Sequence, residues 1–216
     1  PDDVEAIAAQ VQVEMLEAGY AAVGEFHYLH HAPDGRAYDE PAEMSARIAA
    51  AAAETGIGLC HLPVLYCRGD AEGRAPEGGQ RRFACEPEDF ARLVERAARA
   101  LAPLPGDTVL GVAPHSLRAV PPAALAEAAA LRPGAPVHMH IAEQEAEVAE
   151  IRAALGDRPV AWALANLPVD GRWCLIHATR MTPEETRGLA ASGAVAGLCP
   201  VTEANLGDGI FEGGRF

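Results

Sequence analysis

The sequence predicts a parallel α/β fold of the (β/α)8-barrel kind, represented here by six strands. Three observations lead there. Six short apolar runs alternate with helical patterns along the 216 residues, which implies parallel strands joined by right-handed crossovers. No G-x-G-x-x-G or phosphate-binding loop follows any run, which counts against a nucleotide-binding open sheet with the same alternation. Polar residues gather where strands end: His27, Tyr28, His115, Arg118, His140, Glu143, His177 and the segment 202–205. The C-terminal face of a barrel is where its chemistry sits.

The elements follow in order. Residues 5–19 place apolar side chains at helical spacing and stop at a glycine, and 21–27 read as a strand entering a His- and Tyr-rich loop. A helix over 41–55 stops at Gly56, and 57–66 form an apolar strand. The polar loop 67–85 precedes a helix over about 86–102. Strand 108–113 leads into Pro114-His115-Ser116, and a helix covers about 121–131. Strand 136–142 runs straight into helix 143–155, and a further helix near 159–166 precedes strand 172–178. Helix 183–192 ends near Gly193, and strand 194–199 ends at Pro200. Residues 1–216 read as one barrel domain.

Composition narrows the function. With 50% hydrophobic and 22% charged residues the chain is ordinary globular material. Its net charge is −14, and every one of its 17 cationic side chains is arginine. Such a chain suits neither phosphate neutralisation on nucleic acid nor an anionic membrane surface, which leaves a small-molecule substrate as the expected partner. Without lysine, no Schiff base or carboxylated lysine operates here. The five cysteines are odd in number and never spaced C-x-x-C, which predicts reduced thiols in a cytoplasmic protein. No apolar run approaches the roughly 18 residues of a membrane span.

The sharpest local feature is His138-Met139-His140-Ile141-Ala142-Glu143. Residues two apart on a strand share a face, so both histidines point the same way. Neutral imidazoles bind zinc, and a carboxylate just beyond the strand can move protons without binding the metal. A pair of core histidines bonded to neighbours is the plain alternative. Glu143 at the strand–helix junction, and His177 ending the next strand, favour chemistry. His115 and Arg118 share a loop, where an arginine fork suits a substrate carboxylate; a surface ion pair is the alternative for Arg118. The run His27-Tyr28-Leu29-His30-His31 is too crowded for every member to act. Tyr28 is the expected substrate contact, and the later histidines are loop residues.

The segments GEFHYLHH (24–31), LPVLY (62–66), GGQRRF (78–83), APHSLRAVPP (113–122), HIAEQ (140–144), WCLIHAT (173–179) and LCPVTEANLGDGIF (198–211) together resemble the formimidoylglutamate deiminases of the amidohydrolase superfamily. The resemblance covers essentially the whole chain. It implies a mononuclear zinc enzyme on a (β/α)8 TIM barrel that converts N-formimino-L-glutamate to N-formyl-L-glutamate and ammonia in histidine breakdown. It makes His140 a zinc ligand, Glu143 the acid/base, and His177 the group that orients the attacking water and stabilises the tetrahedral intermediate. Tyr28, His115 and Arg118 hold the substrate, with Arg118 on its carboxylate.

Measured against that family, the chain carries about strands 2–7. It lacks the H-x-H of strand one, the aspartate of strand eight and the small β domain. Asp208, in the loop after the seventh strand, does not match the aspartate position. The chain is therefore expected to be the middle of a longer protein, inactive by itself. Arg180 stands where a histidine is expected, and Cys67-Arg68 where Ser-His is expected. Arg81 and Arg82 on the 67–85 loop are a candidate contact for a homodimer. Two rival readings remain: a related amidohydrolase deaminating a purine or pterin ring, and a non-catalytic remnant whose histidines only pack.

Overall fold

Apolar runs bounded by glycine or proline become strands, and the amphipathic runs between them become helices laid on the outside. α1 (Asp2–Glu17) leads to β1 (Ala22–His27), and α2 (Glu43–Thr55) to β2 (Gly58–Leu65). α3 (Pro87–Leu101) leads to two short strands, β3 (Val109–Leu110) and β4 (Ala113–Pro114). α4 (Pro122–Ala130) precedes β5 (Val137–Ile141), and α5 (Glu145–Leu155) and α6 (Pro159–Asn166) precede β6 (Trp173–His177). α7 (Pro183–Ser192), β7 (Val195–Gly197) and α8 (Pro200–Leu206) complete the chain. The computed structural model describes all residues, Pro1–Phe216. The expected helix stops hold because Gly56 and Gly193 take the left-handed conformation that ends a helix. Thr182 and Glu185 start α7 with a reciprocal capping box. No helix is long and apolar enough to cross a membrane.

All strand pairs are parallel. β2 lies between β1 and the β3–β4 segment, and β6 lies between β5 and β7. A bridge between Val112 and Val137 joins the two sheets, so the strands run side by side in chain order. β1 and β7 are the edges, and the barrel does not close.

Three expectations need correction. Strand 108–113 is split, because the backbone changes partner within it: Gly111 N–H donates to His61 O (2.9 Å), and Val112 N–H to Pro136 O (3.0 Å). A Cβ on Gly111 would lie 2.5 Å from Pro136 O, so only glycine fits that crossing. Glu143 and Gln144 form a turn before α5 rather than its first residues. Beyond Pro200, where no helix is expected, residues 200–206 form α8, since Pro200 suits a first helical turn and Gly207 ends it.

The two faces of the strands are packed differently. On β5 and β6 the alternate residues Val137, Met139, Ile141, Trp173 and Leu175 are fully covered by helices. Their neighbours His138, His140, Cys174 and Ile176 face the inner side and are only partly covered. Inner-facing Leu62, Val64 and Ala113 pack with Phe26 and Cys60 as a small separate cluster. Site residues therefore stand on the inner face at the C-terminal strand ends, braced from behind by the main core.

Candidate active site

Strain marks two of the strand ends. Ala142, just after β5, has φ 48°, and His177 and Ala178, ending β6, have φ 72° and 50°. Left-handed backbone at non-glycine residues persists only where surrounding bonds over-determine it. Here they do. Glu147 accepts from the N–H groups of Ala142 (3.1 Å) and Glu143 (2.8 Å), and the Thr179 hydroxyl donates to Glu143 O (2.7 Å). The turn delivers the Glu143 side chain to the His177 ring.

His177 sits between two carboxylates. Its Nε2 lies 3.3 Å from Glu143 Oε1, and its Nδ1 lies 3.1 Å from Glu203 Oε1. The same Glu203 oxygen accepts the Cys199 N–H at 2.9 Å. The His140 ring is tilted against His177 at 5.3 Å, stacked on His115 at 5.2 Å, and edge-on to Phe26 at 4.5 Å. Burial, with His177 adding, pushes His140 down to about 4. Burial, with His140 adding, pushes His115 down to about 3. Both imidazoles are therefore neutral at pH 7. Burial holds the Glu143 carboxyl above the ordinary carboxylate range; His177 opposes the rise and the neighbouring Asp208 adds to it. Asp208 is itself buried, takes the Gln144 amide at 2.9 Å, and leaves Oδ2 without a partner.

Arg118, His115, His140, Glu143 and Glu147 line a cavity of about 270 Å3. The Arg118 side chain lines this cavity and forms neither an ion pair nor a hydrogen bond. Its loop is clamped from behind: Arg68 donates to Arg118 O and Leu117 O, each at 3.1 Å. That is what the Cys67-Arg68 departure does here. Arg180, the other departure, ties Glu145 (3.0 Å) to Gly207 O (3.3 Å).

Tyr28 stands at the rim beside His115, 6.3 Å ring to ring, rather than lining the cavity. Phe83, from the 67–85 loop, packs edge-on against it at 4.6 Å. His30 and His31 bond to the carbonyls of Val64 (2.7 Å) and Ala84 (2.8 Å) and are loop residues as expected. His27 departs from expectation: the two-residue period turns it away from Phe26, to the helix side, against His61 at 5.3 Å. Sequence reasoning gave no role to Glu147 or Phe83; it noted Arg68 only as a departure, Glu203 only within the strand-end segment 202–205, and Asp208 only as no match for the expected aspartate. Glu147 had a signal, standing one helical turn after Glu143. Glu203 and Asp208 had none that tied them to His177 and Glu143.

The residues fit one corner of a zinc centre. A histidine ligand must be neutral, and His140 is held so, with its Nδ1 buried and unpartnered. A second donor group, His177, Cys199 and Glu203, has ligand atoms within 4.8 Å of one another. It suits a cation less well: burial and the Glu203 carboxylate push the Cys199 thiol up, away from the thiolate a metal needs. Its carboxylate oxygen is also already shared by two donors.

Residues 1–212 match the amidohydrolase family. The chain is 51% identical over 217 residues to a formimidoylglutamate deiminase of Pseudomonas aeruginosa, covering 100% of this chain and 48% of that protein. It is 29% identical over 212 residues to a 5-methylthioadenosine/S-adenosylhomocysteine deaminase of Shouchella clausii, covering 97% and 43%. It superposes on a crystal structure of an amidohydrolase from Brucella melitensis with TM-score 0.95 and 55% identity, covering 98% and 47%. A zinc-bound adenosine deaminase from Xanthomonas campestris shares the fold alone, at TM-score 0.73 and 22% identity, covering 96% and 42%. The chain spans about half the length of the curated relatives it matches.

Proposed function

The chain belongs to the amidohydrolase family, and from that premise we propose that the full-length protein hydrolyses N-formimino-L-glutamate to N-formyl-L-glutamate and ammonia. The observation that carries the reading is the unpaired Arg118 guanidinium on the same cavity as His140 and Glu143. A carboxylate-bearing substrate satisfies that arginine; a purine or pterin ring offers it nothing to grip. The high identity to a formimidoylglutamate deiminase supports the same choice.

Arg118 binds the glutamate end in two parallel N–H to oxygen bonds, while Tyr28 and His115 fix the chain between it and the formimino carbon. His140 would hold a zinc ion, which supplies Lewis acidity and makes water nucleophilic near pH 7. Glu143 takes a proton from the attacking water as the carbon–oxygen bond forms. It passes that proton to the imino nitrogen, then takes the second proton from the new hydroxyl as the carbonyl forms and delivers it to the same nitrogen as the carbon–nitrogen bond breaks, so ammonia leaves with both. A carboxyl whose pKa is raised by burial suits both duties, because it takes the proton more readily as a base and still holds it when the departing nitrogen needs it. His177, beside Glu143, orients the water and stabilises the tetrahedral intermediate.

Turnover of formiminoglutamate by the full-length protein, set against guanine and methylthioadenosine, tests the reading. Ammonia from formiminoglutamate is expected. Release from a ring substrate alone overturns it. Metal analysis covers the remnant reading, which predicts no stoichiometric zinc and no activity after zinc is added.

A further inference from the structure

We propose that Glu203 is a positioning residue that keeps a proton on His177 Nδ1 and so aims Nε2 at Glu143. The geometry is specific. Two nitrogens, His177 Nδ1 at 3.1 Å and the Cys199 N–H at 2.9 Å, converge on one carboxylate oxygen, Glu203 Oε1. Both side chains are almost fully buried, Glu203 at 6% exposure and His177 at 4%. A buried carboxylate left without donors is strongly unfavourable, so the pair holds its protons where they are. The other face of the ring then has one vacancy, Nε2, and Glu143 Oε1 stands 3.3 Å from it.

The tautomer of a histidine is set by the hydrogen bond its other nitrogen makes. With Nδ1 committed to Glu203, Nε2 is the one ring position left, and it faces Glu143 Oε1 at 3.3 Å, where the proposed chemistry needs a partner for the carboxyl. Glu203 also orients the ring through its contact with Nδ1. Cys199 and Glu203 lie at the start of α8, so the hydrogen bond couples the loop after β7 to the end of β6.

The proposal takes its kinetic consequence, though not its geometry, from the deiminase reading. It is tested on the full-length protein labelled with 15N-histidine, using loss of a resonance in His177→Asn for assignment. In the wild type the His177 Nδ1 signal is that of a protonated nitrogen; a ring protonated at Nε2 alone overturns the proposal without any variant. Glu203→Leu removes the acceptor at similar volume. It is expected to move the ring proton off Nδ1 and to lower kcat by about 10–100-fold, with KM changed by less than about threefold. Glu203→Gln offers a carbonyl oxygen to the same two donors, so it restores the Nδ1 proton and most of kcat. If Glu203→Leu keeps both the wild-type ring signal and kcat while melting earlier, Glu203 only caps α8 and the proposal falls. If the ring responds as described while formiminoglutamate is not turned over, the deiminase reading fails and the role of Glu203 stands.

Discussion

Two histidine clusters lie apart in the fold, one at the ends of β4, β5 and β6 and the other on the helix side of β1 and β2. The inner one, His115, His140 and His177, stands at the strand ends, and its first two members line the cavity. The outer one, His27, His30 and His61, is sealed between β1, β2 and the helices. Burial depresses both: His115 to about 3 and His140 to about 4 on one side, His30 to about 3 and His61 well below its ordinary value on the other. Their company differs. His177 has a carboxylate on each ring nitrogen, and an unpaired arginine shares the cavity. In the outer cluster both nitrogens of His61 are unpartnered, and the nearest acidic group is Glu25, 3.8 Å from His27. Burial and a low pKa mark a histidine as enclosed; carboxylates within hydrogen-bond reach of an open cavity mark it as a candidate for chemistry.

The largest expected effect lies on the inner side. Glu143→Gln lowers turnover by about 10²–10⁴-fold, the range of general acid–base catalysis, while metal content stays at wild-type level. Unchanged activity would show that the proton role is misassigned. Arg118→Leu should raise KM for formiminoglutamate by about 100-fold, the worth of a charge-assisted pair of hydrogen bonds. An equal KM in wild type and variant would remove the carboxylate contact from the account. Arg68→Ala frees the loop that carries Arg118 and should lower kcat/KM by about tenfold through misplacement. The full-length enzyme's steady-state kinetics check all three.

The outer side should answer in stability alone. His30 is neutral in the fold because burial lowers it from 6.5 to about 3. The unfolded chain therefore takes up its proton first as the pH falls. Stability is full above about pH 6.5 and drops progressively toward about pH 3. Urea midpoints followed downward from neutral pH should show this decline, with a shallower slope in His30→Gln. His61→Leu, the smallest change, should leave turnover unaltered and raise stability by about 1 kcal/mol, since it removes two unpartnered buried nitrogens. Lost turnover in His61→Leu would break the distinction between the clusters.

The alternation of strands and helices, the helix stops at Gly56 and Gly193, and the strand-end positions of His115, Arg118, His140, Glu143 and His177 were all legible in the sequence. These features arise from periods, caps and turn residues that act within a few positions along the chain. The orientation of His27 was not read, although alternation on a strand that presents Phe26 and Tyr28 inward sends it outward. What local rules could not reach was contact between segments far apart. Gly111 had to be glycine only because Pro136 and Leu62 crowd it. Glu203 meets His177 across 26 residues, and Gln144 meets Asp208 across 64, because two strand ends and a later helix converge on one cavity. Sequence determined which residues stand at the C-terminal ends of the strands. Tertiary packing alone decided which of them touch, because a hydrogen bond demands atoms within about 3 Å of one another, and only the folded backbone sets that distance.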